Sequence, residues 1–240
     1  WGGQHVAYKR ATGAELVYAA RADASDSWKA TVVDDVGEAT SISLAVDPRG
    51  RPHISYQIPG RFGGASVAYA WHDGNTWQIE EAVKASLFAE FYGDWSSLAL
   101  VEGWTPAIAY RTDYTSRAVS LAVRQPSGTW AKSTIETGVG TSLGQYASVV
   151  VASDTYVVAY LSGAVRLASA PIGADLLPGT WTTSAVGSIK GSQLDLASDP
   201  IGGLHLALVD NDGHVDTWYK AQGSTWRSSA SFGSGVLGVS

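Results

Sequence analysis

Residues 41–83 read SISLAVDPRGRPHISYQIPGRFGGASVAYAWHDGNTWQIEEAV and contain four short runs in which apolar and polar residues alternate. The runs are SISLAV, HISYQI, SVAYAWH and TWQIEEAV. DPRGRP separates the first two runs and DGN the last two, and Asp, Asn, Gly and Pro favour tight turns. Alternation with period two between turn residues predicts four β-strands, which we name A, B, C and D in chain order.

The four-strand pattern recurs along the whole chain. A Trp that starts strand D, usually after a small residue, appears five times with spacings of 49, 53, 51 and 45 residues: Trp28, Trp77, Trp130, Trp181 and Trp226. A second landmark in strand B keeps the same spacing, as HVAYKR, HISYQI, AIAYRT, VVAYLS and HLALVD. No segment has a helical period. Four strands in each repeat of this length predict an all-β chain built from β-propeller blades.

The two ends of the chain predict how the ring closes. The chain starts on a B strand and ends with GVLGVS at residues 235–240, which has the pattern of an A strand. The sequence therefore predicts one five-bladed propeller domain over 1–240, in which the C-terminal strand completes the N-terminal blade and leaves no open edge. The predicted blades are 1–36 with 235–240, then 37–84, 85–138, 139–188 and 189–234.

Composition excludes several classes of function. The chain has 240 residues, with 16 Lys and Arg against 22 Asp and Glu, and its net charge is −6. Without a basic run we expect no nucleic-acid partner, and without an uninterrupted stretch of roughly 18–20 apolar residues we expect no membrane insertion. The absence of Cys excludes disulfides and thiolate metal sites. The chain lacks Met and starts at Trp1, so we expect a processed chain or an excised domain, secreted or at the cell surface, in an extracellular or periplasmic location.

Small residues recur on the predicted A strands, where blades converge toward the propeller axis. We interpret them as packing residues, and we expect the five D-strand Trp side chains to be structural because large aromatic side chains bury the most area between blades. The small A-strand residues are Ser43, Ala45, Ser97, Ala99, Ser148, Ala197 and Gly238.

The turn between strands C and D carries a family resemblance. DGNTW at Asp73 to Trp77 resembles the Asp-box, Ser-x-Asp-x-Gly-x-Thr-Trp, of sialidase-type propellers, and Asp23 stands five residues before Trp28, as the motif requires. The resemblance implies a propeller whose turn holds a hairpin far from the active face. A sialidase's three Arg and its Tyr and Glu pair cannot be assembled here. At the level of fold the chain is also similar to tachylectin-type five-bladed lectins, which implies sugar binding.

One connection between strands D and A is longer and more aromatic than the others. It reads KASLFAEFYGDWS over residues 84–96, and the B-to-C loop RTDYTSR is its predicted neighbour. Aromatic faces beside charged groups suit sugars, although a protein partner or a loop that covers a blade junction would use the same residues. The predicted ligand-binding residues are Phe91, Tyr92, Asp94, Trp95, Arg111, Asp113 and Tyr114.

Catalytic and metal sites have weaker signals. Glycoside hydrolysis needs two carboxylates, and Asp195 is the one acid on the predicted A strands. DNDGHVD at residues 210–216 resembles a calcium loop but lacks the closing Glu, and an Asp-Gly turn explains it equally well. We therefore predict no metal and no cofactor, with calcium as the alternative. The sequence favours a lectin-like binding module, and the alternatives are a glycoside hydrolase or lyase near Asp195 and a protein-interaction or structural propeller.

Overall fold

The computed structural model describes residues 3–35, 37–59, 64–85, 91–113, 117–138, 143–186 and 191–233. Within these ranges all the extended regular elements are β-strands, which confirms the prediction of an all-β chain. None of the described residues belongs to a helix long and apolar enough to cross a membrane.

The strands form five successive antiparallel meanders. Meander 1 contains β1 (Gln4–Lys9), β2 (Leu16–Arg21) and β3 (Lys29–Asp34). Meander 2 contains β4 (Thr40–Val46), β5 (Pro52–Pro59), β6 (Ala65–His72) and β7 (Trp77–Val83). Meander 3 contains β8 (Phe91–Val101), β9 (Thr105–Asp113), β10 (Arg117–Arg124) and β11 (Trp130–Gly138). Meander 4 contains β12 (Gln145–Ala152), β13 (Thr155–Leu161), β14 (Val165–Pro171) and β15 (Thr182–Ala185), and meander 5 contains β16 (Gln193–Ser198), β17 (Leu204–Val209), β18 (Val215–Lys220) and β19 (Arg227–Phe232).

Four of the meanders have the predicted strands A to D, and meander 1 has three strands in the described part of the chain. Its predicted fourth strand, at 235–240, lies outside the described residues, so ring closure stays a prediction. Meanders 2 and 3 also share a feature that the sequence did not indicate. A parallel bridge between Ala65 and Phe91 joins them into one eight-stranded sheet.

The hydrophobic core lies in four clusters, one between each pair of successive meanders. Between meanders 1 and 2, for example, Leu16 and Val33 pack with Ile54 and Tyr56. The D-strand Trp of the later meander packs against each cluster, and these residues are Trp77, Trp130, Trp181 and Trp226. Four of the five repeated Trp residues therefore have the structural role predicted for them.

The fifth repeated tryptophan, Trp28, has a different environment. Its side chain is 45% exposed, and the Arg21 guanidinium lies 4.8 Å from the centre of its ring. Trp28 belongs to meander 1, so among the described residues no earlier meander packs against it as one does against the other four.

The junction between meanders 2 and 3 combines aromatic packing with an ion pair. Glu80 Oε1 accepts hydrogen bonds from Trp130 Nε1 and Arg124 Nε, both at 2.7 Å, and Arg124 Nη2 donates to Glu80 Oε2 at 3.1 Å. The guanidinium lies 5.0 Å from the Trp71 ring centre, and Trp71 stacks on Tyr69 at 5.1 Å between centroids. One carboxylate thus satisfies donors from two side chains of the next meander.

Replacing Glu80 should therefore weaken this junction. We expect Glu80→Ala to lower the free energy of unfolding by about 2 kcal/mol, because Trp130 and Arg124 lose a charged acceptor. Urea unfolding measures the change. The neighbouring Glu81→Ala is the control, since Glu81 is exposed and 3.8 Å from Lys84. Equal losses in the two variants would show that the junction pair contributes no specific stability.

Aspartates hold the turns between strands. Asp73 Oδ1 accepts the backbone N–H groups of Asn75 at 2.8 Å and Thr76 at 2.9 Å, in the turn between β6 and β7. These hydrogen bonds, first that from Thr76, lower the pKa of the Asp73 carboxyl. This is the hairpin role that the Asp-box resemblance implies, while membership of an Asp-box family stays a prediction.

The repeated histidines bond within their own meanders. His5 Nδ1 lies 2.5 Å from Tyr18 Oη, and His53 Nδ1 lies 2.5 Å from Tyr69 Oη, so each pairs with strand C. His53 Nε2 is also 3.7 Å from Asp47 Oδ2, a carboxylate of the turn between β4 and β5. Burial, partly opposed by Asp47, lowers the pKa of His53.

The lowered pKa of His53 predicts how stability depends on pH. The folded state favours the neutral ring, so its contribution to stability is present above the unfolded pKa of about 6.5 and is lost as the pH falls through the lower folded pKa. We expect His53→Asn to flatten the decrease in unfolding free energy between pH 7.5 and 5.5, measured with urea. His205→Asn is the control, because His205 occupies the same repeat position with a side chain that is 54% exposed. A decrease that is unchanged in His53→Asn would contradict the prediction.

Candidate functional site

The A strands of meanders 2 to 5 line a central channel. Strands β4, β8, β12 and β16 pack side by side in that order and enclose a cavity of about 730 Å³. This size falls within the range of small-molecule sites, roughly 300–1,000 Å³. The channel is therefore large enough to hold a small-molecule ligand.

Serine hydroxyls join the A strands around this channel. Ser43 Oγ accepts the N–H of Leu98 at 3.0 Å, and Ser97 Oγ accepts the N–H of Val149 at 3.1 Å. The third serine, at the same position of β12, repeats the contact: Ser148 Oγ accepts the N–H of Leu196 at 3.1 Å. The sequence predicted these residues only as small side chains that fit near the axis. The structure adds that each hydroxyl satisfies a backbone donor of the next meander.

Three side chains meet at the end of the channel where the A strands begin. The rings of Trp95 and Tyr146 lie 5.2 Å apart between centroids, and the Arg111 guanidinium lies 5.1 Å from the centre of the Trp95 ring. Trp95 and Tyr146 line the channel and are partly exposed, whereas Arg111 is 4% exposed. We call these three residues the channel mouth.

The backbone places the mouth residues by the same irregularity in successive strands. Ser41, Trp95 and Tyr146 have positive φ angles of 49°, 54° and 53°, and each lies at a register shift of its A strand. A bulge of this kind re-aims the side chain that it carries. Left-handed backbone is costly for residues other than Gly, so the packing around all three positions must hold it in place.

Gly144 permits the approach of Arg111 to the mouth. Gly144 has φ +78°, and a Cβ atom there would come within 2.7 Å of Val119 Cγ2 and 3.2 Å of Arg111 Cγ. A side chain at this position would clash with Val119 and force a small shift of the Arg111 stem. The glycine therefore leaves room for both side chains.

The structure separates the predicted ligand-binding residues into two groups. Trp95 and Arg111 lie together at the mouth. Asp94 and Tyr92 instead hold the connection to meander 2, since Gln57 Nε2 donates to Asp94 Oδ1 at 2.8 Å and to the Tyr92 carbonyl oxygen at 2.9 Å. The Tyr92 ring also meets the Tyr110 ring edge-on at 6.4 Å.

The remaining predicted residues contribute less to the described mouth. Phe91 is 41% exposed at the start of β8, where its backbone forms the bridge to Ala65. Asp113 pairs with Phe91 through its backbone, and its side chain lies outside the described part of the structure. Tyr114 lies outside the described residues altogether.

Sequence reasoning missed Tyr146. It occupies the position of Trp95 in the next repeat, two residues before the A-strand serine, so alignment of the repeats could have found it. It was missed because its own connection is not aromatic. An isolated aromatic residue has no sequence signal that tells it from a core residue.

Asp195 occupies the serine position in the fourth A strand, as its repeat position predicted. Ser148 Oγ donates to Asp195 Oδ1 at 2.8 Å, so the carboxylate belongs to the hydrogen-bonded ring around the channel. Among the described residues that line the channel it is the one carboxylate. The described wall therefore lacks the second acid that glycoside hydrolysis requires.

The Asp-rich turn at residues 210–216 is explained by its own hydrogen bonds. Asp210 Oδ1 accepts the N–H groups of Asp212 and His214, both at 2.8 Å, and His214 Nδ1 lies 3.2 Å from Asp210 Oδ2. Carboxylate and imidazole atoms of these three residues lie within 4.8 Å of one another. Asp210 and His214 therefore close the turn themselves, and calcium at this position stays the alternative prediction.

Comparison with known proteins places this architecture. No protein-family model and no curated protein matches the chain. AofleA from Arthrobotrys oligospora superposes with a TM-score of 0.65 at 12% identity, over 98% of this chain and 72% of that one. Aleuria aurantia lectin, described as a six-bladed β-propeller with a novel mode of fucose recognition, superposes with a TM-score of 0.63 at 12% identity, over 96% of this chain and 78% of the lectin. The chain has a β-propeller fold.

A third propeller carries a different function. A Hadza microbial sialidase superposes with a TM-score of 0.60 at 14% identity, over 88% of this chain, and the chain spans about half of that protein's length, 51%. At such identities the likeness shows the fold alone. It confirms the predicted propeller but not five blades, since the Aleuria aurantia propeller has six.

Proposed function

We propose that this propeller is a carbohydrate-binding module and that the channel mouth holds its sugar. The observation that carries the proposal is the cluster of Arg111, Trp95 and Tyr146 at one end of the channel. Aleuria aurantia lectin, among its structural neighbours, supports the same ligand class at the level of fold.

The chemistry of the mouth suits a sugar ring. The apolar C–H face of a pyranose packs on an indole or phenol ring, while its hydroxyls accept hydrogen bonds from polar groups beside the rings. The buried Arg111 guanidinium lies over the Trp95 ring and fixes its orientation. The mouth therefore presents a preorganised aromatic surface, which loses little conformational entropy on binding.

Binding is favoured over hydrolysis by the channel wall. Asp195 is the one carboxylate among the described lining residues, and the Ser148 hydroxyl already donates to it. A glycosidase needs an acid and a base or nucleophile about 5–9.5 Å apart. With one carboxylate in the described wall, a hydrolase or lyase would need a further catalytic group, whereas a lectin-like role would not.

We also propose that the propeller has five blades and closes between meanders 5 and 1, with 235–240 as the missing A strand. Ala7 and Tyr18 of meander 1 pack toward meander 2, so Tyr8 and Val32 lie on its other face, where they are 39% and 41% exposed. Val17, which pairs with both residues on the same face, is fully buried, so the centre of this face is covered and its edges are exposed.

Meander 5 offers a matching face. At the earlier junctions a strand-C Tyr meets the next D-strand Trp at 5.4 Å, as Tyr18 with Trp77 and Tyr69 with Trp130. Tyr219 pairs with His205 across β17 and β18, as Trp71 pairs with His53, so Tyr219 is the counterpart of Trp71, two residues beyond the Tyr69 position on the same face of strand C. Closure would place Trp28 against this face, on which Tyr219 is the one aromatic side chain of β18.

Sugar binding should depend on the Trp95 ring. We expect wild-type protein to bind selectively on a glycan array and Trp95→Asn to lose that binding, because the indole surface is removed. Asn tolerates the positive φ of this position, so the fold should be retained. Trp104→Asn is the matched control, since Trp104 is 42% exposed in the turn at the other end of β8.

Two results would overturn the assignment. Absence of wild-type binding to every glycan would exclude the sugars on the array as ligands and favour a protein partner. Equal binding by wild type and Trp95→Asn would place the sugar site elsewhere on the propeller.

Ring closure predicts an energetic coupling between Trp28 and Tyr219. We expect a double-mutant cycle with Trp28→Ala and Tyr219→Ala to give a coupling of about 1 kcal/mol in urea unfolding, as for an aromatic pair. The cycle of Trp28 with Tyr8 replaced is the control, since both belong to meander 1. No coupling between Trp28 and Tyr219 would mean that these two faces do not meet, as in a ring with another blade between them.

A further inference from the structure

Equivalent positions at two blade junctions carry different residues. At the junction of meanders 2 and 3, Tyr69 pairs with Glu80 across β6 and β7, and Glu80 binds Trp130 and Arg124. At the junction of meanders 1 and 2, Tyr18 pairs with Thr31 in the same register. Thr31 is therefore the counterpart of Glu80.

At two more positions, the first junction has a residue with less bulk or less charge than its counterpart at the second junction. Trp71 follows Tyr69 by two residues, and Ala20 follows Tyr18 by two residues. Arg124 pairs with Trp130, and in the preceding meander His72 pairs with Trp77. The first junction thus has Ala, Thr and His where the second has Trp, Glu and Arg.

These differences leave a crevice between meanders 1 and 2. Its volume is about 500 Å³, and it is lined by Tyr18, Thr31, His72, Asn75 and Trp77, among others. A second hollow of about 560 Å³ shares Tyr18 and Thr31 and continues toward Arg21. The crevice opens beside the turns between strands C and D, at the opposite end of the blades from the channel mouth.

The indole N–H of Trp77, in the crevice, lacks the hydrogen-bond acceptor that Trp130 and Trp181 have. Trp130 Nε1 donates to Glu80 and Trp181 Nε1 donates to Ser133 Oγ at 2.9 Å. In the described part of the chain no acceptor is found for Trp77 Nε1, although Trp77 packs edge-on against Tyr18 at 5.4 Å and against His72 at 5.5 Å. The indole N–H of Trp77 is therefore open to a ligand or solvent, unlike those of Trp130 and Trp181.

We propose that this crevice is a second ligand site and that it takes a neutral saccharide unit. Tyr18 and Trp77 supply the aromatic walls, Trp77 Nε1 donates to a ring hydroxyl, and Thr31 and Asn75 supply neutral donors and acceptors. No Asp, Glu, Lys or Arg lines the described crevice, which favours an uncharged ligand over an anion. The site extends the proposed carbohydrate function, but its residues are separate from those of the channel mouth.

The test introduces into the first junction the residue types that fill the junction between meanders 2 and 3. In Thr31→Glu with His72→Arg, the introduced carboxylate should accept the Trp77 N–H and pair with the introduced guanidinium, as Glu80 does with Trp130 and Arg124. The probes are methyl glycosides of glucose, galactose, mannose, fucose and N-acetylglucosamine, titrated while the tryptophan indole N–H resonances are followed by NMR. Trp77→Phe and Trp95→Asn assign the two resonances that matter.

We expect at least one glycoside to shift the Trp77 resonance saturably in wild type and not in the double variant. Thr225→Glu with His214→Arg is the matched control, because it makes the same changes at exposed positions of meander 5 and should retain the shift. Asn75→Ala gives a second variant that removes an exposed polar group without altering the junction, and it should weaken the titration.

The outcomes separate the two sites. A Trp77 shift without a Trp95 shift would support the crevice and overturn the mouth, and the reverse result would overturn the crevice. No shift of Trp77 with any probe, or a shift that persists when the junction is closed by Thr31→Glu with His72→Arg, would also overturn the crevice site.

Discussion

The fold depends on the tryptophan that each meander places against the meander before it. A β-sheet with two apolar faces cannot stand alone in water, so each sheet here must be covered on both sides. Trp77, Trp130, Trp181 and Trp226 provide a large part of that cover at four junctions. Their polar edge also matters, because an indole N–H turned toward the junction requires an acceptor or an opening to solvent.

Residue differences at equivalent junction positions explain why one junction is filled and another contains a crevice. A carboxylate and a guanidinium fill the space beside Trp130, whereas Thr31 and His72 leave space beside Trp77. Around the axis, the serine hydroxyls of the A strands accept hydrogen bonds from backbone N–H groups of the next A strand. The larger side chains that could contact a ligand therefore lie at the channel mouth, where the bulges direct Trp95 and Tyr146 into the channel.

The candidate site illustrates how a repeat fold produces a single asymmetric feature. Ser41, Trp95 and Tyr146 share one backbone conformation at one repeat position, yet two of them are aromatic and one is small. The Arg111 guanidinium lies over the Trp95 ring, and Gly144 leaves room for its side chain. Binding chemistry thus arises from side-chain differences at positions whose geometry the repeat already provides, which is consistent with the many functions of propeller relatives.

The sequence by itself determined the strands, the repeat and the structural role of the D-strand Trp residues, because alternation and turn residues act over a few neighbouring positions. It also placed Trp95 and Arg111 near each other. It did not predict that Gln57 holds Asp94, that the A-strand serines bond backbone groups of the next meander, or that Tyr146 joins the mouth. Those contacts join residues about 35 to 55 positions apart, and they depend on the relative placement of whole meanders, which only the tertiary packing decides.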